Sequence, residues 1–309
     1  MAHSPLGKTL VIANPAAHSG DGLEGARFTR DFLSSYESAT KGFEVVLTKE
    51  TKDATRLAAQ AAGFDTVVAL GGDGVIHEVV QGLMQIEKDT RPQLGVVPMG
   101  SGNDYARTLG MKRNDCQGAW AQLVRGVSRP CEVGCVNGHY FMQTLSFGLD
   151  AAIALDTMDK RAAGTSQKGE ELFVRSALRI LSKAKAGYPV QASFDGENPI
   201  NLSTIIFAVQ VGPSYGGGFK ICPNATPQDG LLDVCYNVKL PPTPLLLGLL
   251  GLARFGKHTA SNVVSLRHIT CASLDFEAEP PCQIDGEKLT GTHFDITVIP
   301  QALNVIYPK

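Results

Sequence analysis

An apolar run, Thr66-Val67-Val68-Ala69-Leu70, ends in Gly71-Gly72-Asp73-Gly74, and helical spacing begins at Val75. A strand that opens through glycines onto a helix start presents backbone N–H groups, and such groups attract phosphate. The carboxylate among them cannot itself bind phosphate comfortably. It suits a magnesium ion carried by that phosphate, or a hydroxyl about to attack it. The stretch therefore points to a nucleotide and a transfer reaction.

The same strand-then-helix grammar fills the first third of the chain. Residues 9–13, 43–47, 66–70 and 94–97 read as strands. Residues 24–36, 53–62 and 74–86, and a segment from Asn103, read as helices. This alternation folds as a parallel sheet with helices on both faces. Ligands of such sheets bind beyond the carboxyl ends of the strands, and Asn14-Pro15, Thr48, Gly71 to Gly74 and Gly100 to Asp104 all fall there. Near Arg129-Pro130 the pattern changes. Residues 131–136 and 139–146 flank Asn137-Gly138, a strong two-residue hairpin signal. Further strands are expected at 190–194, 203–211, 231–238, 263–267, 271–277 and 294–299, which makes an antiparallel sandwich the expected second half. The boundary is expected between residues 129 and 130, with the last residues of the chain packing back on the first domain.

A chain of 309 residues exceeds what one core usually serves. With 43% hydrophobic and 19% charged residues it suits a folded enzyme, and a net charge of −2 gives no bulk basic field for nucleic acid. Seven scattered cysteines, with no secretory signal before residues 8–12, lead to the expectation of a reducing cytoplasm. Cys131 and Cys135 share one face of a strand and read as buried thiols. The longest apolar stretch, residues 244–253, is too short to span a bilayer, which needs ~20 residues. It reads as a buried helix, with a membrane-touching face as the alternative. A helix over residues 170–186 carries Arg175, Arg179, Lys183 and Lys185, either as a solvated face or as a contact for anionic headgroups.

Other segments gain meaning in company. Asn14-Pro15-Ala16-Ala17 would let backbone approach a nucleotide. In Gly71 to Gly74, Asp73 could instead cap the next helix, although three glycines in four residues disfavour a plain cap. Gly100-Ser101-Gly102-Asn103-Asp104 offers side-chain hydrogen bonds to a nucleotide, or a helix start. Asp285-Gly286-Glu287 is an acidic turn that could serve as the proton acceptor of a kinase acting on an alcohol. The turn from Thr226 through Asp229 to Leu231 could hold a hard cation through oxygen. Histidines lie at no zinc-protease spacing.

Taken in order, these motifs resemble the lipid-kinase family that includes bacterial diacylglycerol kinases, YegS-type kinases and the sphingosine and ceramide kinases. Gly216-Gly217-Gly218-Phe219 and Asp229-Gly230-Leu231-Leu232-Asp233 belong to the same series, which covers nearly the whole chain. The resemblance implies a nucleotide domain similar to those of phosphofructokinase and NAD kinase, joined to a C-terminal β-sandwich. It implies transfer of the ATP γ-phosphate to a lipid hydroxyl with magnesium. By resemblance, Asn14, Pro15, Ala16, Ala17, Thr48, Gly71, Gly72, Asp73, Gly74, Val75, Ile76, His77, Ser101 and Asn103 would surround ATP. Glu287 would accept the proton with support from Asp285, and Asp73 would position magnesium and phosphate. A structural magnesium ion would sit on the backbone oxygens of Thr226 and Leu231 and the side chain of Asp229. The family usually carries threonine and asparagine where Val75 and His77 stand, threonine at Ser101, and a basic residue where Asp21 follows Gly20.

The implied partner is a lipid at a membrane surface, reached transiently from the cytoplasm and without a spanning segment; a homodimer stays open. Two other readings remain at this point. One is a soluble-substrate kinase of the NAD kinase type; the other is a nucleotide- or lipid-binding regulator without turnover. The lipid reading requires acidic groups far apart in sequence, Asp73 and Glu287, to meet beside the triphosphate.

Overall fold

The computed structural model describes residues 4–162, 175–176, 179–180 and 187–309. The chain divides into two compact units, residues 1–131 with 301–309, and residues 132–300.

In the first unit β1 (Lys8–Ala13), α1 (Asp21–Ser35), β2 (Gly42–Leu47), α2 (Asp53–Ala59), β3 (Thr66–Gly71), α3 (Asp73–Leu83) and β4 (Gln93–Pro98) follow one another, then the helices α4 (Asp104–Leu109) and α5 (Cys116–Arg125). The strands pair in parallel in the order β2-β1-β3-β4. The central residues of β1, β3 and β4 are runs of small and branched apolar residues at or near zero exposure, as strands covered on both faces require, while the edge strand β2 stays partly exposed. Right-handed crossovers put α1 on one face and α2 and α3 on the other, because the chain moves outward to β2 and then returns past β1 to β3. The packing agrees: α2 lies on α3, and α1 on α5. Trp120 of α5 is fully buried and donates its indole N–H to Thr29 Oγ1 at 2.8 Å. The C-terminal end of the chain adds a parallel neighbour to β4, with Val305 opposite Leu94.

The second unit contains β5 (Val127–Val136), whose start lies in the first unit, β6 (His139–Phe141), β7 (Thr144–Gly148), α6 (Leu149–Ala162), β8 (Tyr188–Phe194), β9 (Ile200–Thr204), β10 (Ile206–Gln210) and β11 (Leu232–Asn237). After these come α7 (Thr243–Ala253), β12 (Val264–Ile269), β13 (Cys271–Phe276), β14 (Cys282–Ile284), β15 (Glu287–Leu289) and β16 (His293–Tyr307), whose end returns to the first unit. One antiparallel sheet runs β12-β11-β10-β7-β14-β15; facing it are β16, β13, β8 and β9, with β5 and β6 beside β16. The shared core includes Leu145, Val209 and Val234 from one sheet and Val190, Leu274 and Phe294 from the other. Phe147 and Phe294 meet edge to face with centroids 4.8 Å apart. The expected α/β plus sandwich class is the fold observed.

Two expected strands are corrected. Residues 139–146 form two strands in different sheets, and so do residues 203–211. At each crossing a distant side chain takes the backbone N–H groups that a ladder would have used. Asp285 accepts from Met142, Gln143 and Thr144 at 2.8, 3.0 and 2.9 Å. Asn237 Oδ1 accepts from Ile205 and Ile206 at 2.7 and 3.0 Å. Buried amides must be satisfied somewhere. The strand expected at 294–299 extends to Tyr307, and α6 was not expected at all. The helix expected over 170–186 falls largely outside the described residues; 175–176 and 179–180 are helical.

Candidate active site

Parallel register places Ala13, Leu47, Gly71 and Pro98 at one edge of the first sheet. The strand order reverses direction between β1 and β3, and crevices open where such a reversal occurs. Asn14 to Ala17 and Gly71 to Gly74 leave the sheet at that reversal. Asn14 Oδ1 accepts the Ala16 N–H at 2.9 Å, turning the chain sharply, and the Thr48 N–H bonds the Ala13 carbonyl at 2.9 Å. An open cleft of about 620 Å³, solvent at its mouth included, is lined there by Asn14, Pro15, Ala16, Thr48, Val75 and Glu78, among others. Glu78 accepts the N–H groups of Lys52 and Ala54 at 3.0 and 3.2 Å, so it caps α2.

The two glycine loops touch. A Cβ on Gly100 would lie 2.5 Å from the Cα of Gly72, so only glycine fits there. The first residue of α3, Asp73, accepts the Tyr105 N–H at 3.2 Å. Its carboxylate therefore serves the start of α4 in the neighbouring loop, and Gly72 stands at the N-cap of α3. Asn103, at a positive φ of 51° and 2% exposed, donates to the Gly100 carbonyl at 2.7 Å and to Asn114 Oδ1 at 3.2 Å. It closes its own loop, while Ser101 is exposed beside it. A second polar cleft, bounded by Ser101 to Asn103, Arg107 and Lys112 to Asp115, opens beside this loop. Of the residues expected around ATP, Asn14, Pro15, Ala16, Thr48 and Val75 line the first cleft, Ser101 and Asn103 the second, and Gly72 stands at the glycine contact. Ile76 belongs to the core: it is 1% exposed and its N–H bonds the Gly72 carbonyl at 3.3 Å. His77 is buried on the same helix.

In the second unit Asp285 and Gly286 form the two-residue loop between β14 and β15, both with positive φ, 47° and 97°. The Asp-Gly pair meets that requirement. The Asp285 carboxylate is engaged by the three amides of residues 142–144, whereas Glu287 at the start of β15 is exposed. The Gly286 N–H donates to Gln283 Oε1 at 2.7 Å, and Gln283 Nε2 donates to Ser146 Oγ at 2.7 Å. Beyond Ser146 lies Asp150, whose carboxylate accepts the Tyr215 hydroxyl at 2.6 Å. Burial pushes the Asp150 carboxyl up to about 7, because an ion loses its hydration there. Asp150 and Tyr215 are among the few polar walls of a mostly apolar pocket of about 780 Å³, open mouth included. Leu149, Ile153, Phe219, Leu246, Leu249 and Leu250 are among its walls. His258 also borders it, its ring held below the usual histidine range by burial.

The turn at residues 226–231 meets a residue that sequence reading passed over. Glu132, 2% exposed, accepts the Gly230 N–H at 2.8 Å, and its own N–H bonds the Pro227 carbonyl at 3.1 Å. Its other carboxylate oxygen is buried without a partner among the described residues. Burial, with the negative charge of Asp229 added, raises it to about 7. Asp233 is raised to about 6, by burial first and then by Asp229. Carboxylates that oppose one another beside backbone carbonyls form an oxygen-rich set suited to a hard cation. Among the described residues no group of three His, Cys, Asp or Glu side chains meets metal-holding geometry, so carbonyl oxygens would have to complete such a site.

Residues 8–136 match the diacylglycerol kinase catalytic domain, and residues 143–307 match the YegS C-terminal NAD kinase beta sandwich-like domain. The chain belongs to the diacylglycerol kinase and YegS-type lipid kinase family. It is 28% identical to the diacylglycerol kinase of Bacillus subtilis over 279 residues, covering 90% of this chain and 89% of that protein. It is 28% identical over 270 residues to a Yersinia pestis protein described as "Probable lipid kinase YegS-like", covering 85% and 86%. A diacylglycerol kinase crystal structure from Bacillus anthracis superposes with a TM-score of 0.80 at 24% identity, over 99% of this chain and 98% of that one. An NAD kinase from Archaeoglobus fulgidus, solved with ATP, superposes at 0.53 and 13% identity, over 98% and 93%. These two superpositions establish the shared fold. Among the described residues no helix is long and apolar enough to cross a membrane.

Proposed function

We propose that this lipid kinase transfers the γ-phosphate of ATP to the hydroxyl of a glycerolipid such as diacylglycerol. The observation that carries the reading is the contact of the two glycine loops that follow β3 and β4, the first of which leaves the sheet at the strand-order reversal, with the Asp73 carboxylate bridging them. Backbone approaches a triphosphate closely only where side chains are missing, and the relative that shares this fold was solved with ATP. The first unit is then the nucleotide domain and the second the lipid domain.

The part proposed for each residue combines the family resemblance with its surroundings. Asn14 to Ala17, Thr48 and Gly71 to Gly74 flank the nucleotide, and Asp73 orients its phosphates. Glu287, exposed at the tip of its hairpin, takes the proton from the attacking hydroxyl; Asp285, occupied by three amides, positions that hairpin. The apolar pocket receives the lipid chains, and Asp150 with Tyr215 supplies a polar pair in its wall. The Thr226 and Leu231 carbonyls and the Asp229 carboxylate, with Glu132 adjoining, would hold magnesium, which neutralises charge and ties this turn to β5. Positioning and charge neutralisation supply most of the rate in phosphoryl transfer. The enzyme would work from the cytoplasm and touch the bilayer transiently.

Incubation with labelled ATP and magnesium against diacylglycerol, phosphatidylglycerol, a sphingoid base and NAD tests the reading. Label should enter a lipid and be lost in Glu287→Gln. Transfer to NAD alone would replace the lipid reading with a soluble-substrate one. Nucleotide binding without any transfer would leave only a regulator.

A further inference from the structure

Beyond the pocket that the lipid reading uses, one surface of the second unit is unusual. Among the described residues, ten large apolar side chains are exposed, and six of them lie between Val238 and Phe255. They are Val238, Leu240, Leu245, Leu247, Leu252 and Phe255, the last 71% exposed. The helix α7 is apolar nearly all round, Thr-Pro-Leu-Leu-Leu-Gly-Leu-Leu-Gly-Leu-Ala. Leu246, Leu249 and Ala253 on one side are buried and line the apolar pocket. The other side faces outward. An all-apolar helix in water is expected to have its second face covered.

Charge indicates by what. Between Asp233 and Asp275 the chain contains no carboxylate side chain, in a protein of net charge −2. The same interval holds Lys239, Arg254 and Lys257, besides Arg267, which pairs with Glu197. Lys239 stands between Val238 and Leu240, and Lys257 two residues after Phe255; both are exposed. Lys220 is exposed as well, and its N–H bonds the carbonyl of Ala253, the last residue of α7, at 2.9 Å. Exposed leucines and a phenylalanine accompanied by the exposed Lys220, Lys239 and Lys257 complement an anionic lipid surface.

We infer that α7 and the preceding turn at 238–242 are the surface by which this protein docks on anionic bilayers. The outer face of α7 enters the headgroup boundary while its inner face walls the pocket. A lipid chain leaving the bilayer then meets apolar side chains of one helix throughout. This surface deepens the lipid-kinase reading and rests on it for its purpose, but its existence can be measured separately.

The test is flotation of the intact protein with phosphatidylglycerol vesicles and with phosphatidylcholine vesicles. It is paired with phosphate transfer to a vesicle-embedded diacylglycerol and to a monodisperse short-chain one. Leu252→Glu/Phe255→Glu, neither residue lining the pocket, should cut the vesicle-bound fraction by roughly tenfold or more, the weight of a large apolar side chain returned to water. It should spare transfer to the short-chain lipid. Lys239→Gln/Lys257→Gln should weaken binding to phosphatidylglycerol and leave the weaker phosphatidylcholine binding as it was. Wild-type flotation by both variants overturns the docking surface while leaving the kinase reading standing. So does a dimer, seen by sedimentation, that the glutamates dissolve without any change in vesicle binding. If no lipid is phosphorylated, the proposed function fails, and the flotation result still decides the surface.

Discussion

Replacing Asp150 by asparagine should make the protein progressively more stable than its parent as pH rises from 5 to 8. The carboxyl is buried, and that burial lifts it from 3.8 to about 7. An acid whose folded pKa exceeds its unfolded value binds its proton more tightly when folded. Its favourable contribution is therefore complete below about pH 3.8 and is lost as pH climbs through 7. A displacement of about three pH units at ~1.4 kcal/mol each sets a ceiling of about 4 kcal/mol, and partial hydration of the ion would bring it to about 2–4 kcal/mol. Asparagine cannot ionise and can still accept the Tyr215 hydroxyl, which lies 2.6 Å from the carboxylate. Bonds that the amide makes less well add an offset independent of pH. The readout is thus the pH dependence of the difference between the two proteins, taken from urea unfolding at intervals between pH 5 and 8. A difference that stays flat across that range would show that the carboxyl does not titrate there, and would remove the buried acid from the pocket's description.

Further outcomes follow from the same geometry. Glu287→Gln should lower turnover by about 10²- to 10⁴-fold, the usual weight of a general base, with an unchanged melting temperature because the side chain is exposed; steady-state assay and calorimetry check both. Asp285→Ala should unfold at lower denaturant by about 1–3 kcal/mol, since it orphans amides that now have an acceptor, and Asp285→Asn should recover part of the loss; equal stability of the three proteins would refute the anchoring role. Gly100→Ala should raise the KM for ATP because its Cβ would meet Gly72 at 2.5 Å and force the loops apart; an unchanged KM would dissociate that contact from nucleotide binding. Magnesium should raise the melting temperature, and Asp229→Asn should abolish the rise, as differential scanning fluorimetry would show.

The parallel half was legible because three of its four strands end in residues that punctuate strongly: Asn14-Pro15 after β1, the glycines after β3 and β4. Apolar runs of strand length between helical periods leave few alternatives. In the sandwich the same reasoning located most strands, named the turn between β14 and β15 but not those two strands, and joined β6 to β7 and β9 to β10. What breaks them is an acceptor supplied from 142 residues away at Asp285, and from 32 residues away at Asn237. No local window contains that information. The helix α6 was passed over because it follows β7 directly, with Gly148 alone turning the chain at φ 91°. At the site, Asp73, Asp285 and Glu287 were visible because glycines surround them. Glu132 and Asp150 were not, since their importance comes from burial. An isolated carboxylate in Cys131-Glu132-Val133, or in Gly148-Leu149-Asp150-Ala151-Ala152, was the available signal.

A hairpin at the rim of a sheet is ordinarily where a fold loosens first, with its tip exchanging amide hydrogens long before the interior does. The strands β14 and β15 form such a hairpin, with β15 outermost. Yet Asp285 at its tip is fastened to the chain at residues 142–144, where it leaves one layer of the sandwich for the other. Fraying the tip would therefore mean unpicking the seam between the layers. The turn that carries Glu287 inherits the lifetime of the whole sandwich, and thermal motion that softens the periphery leaves the proposed proton acceptor in register.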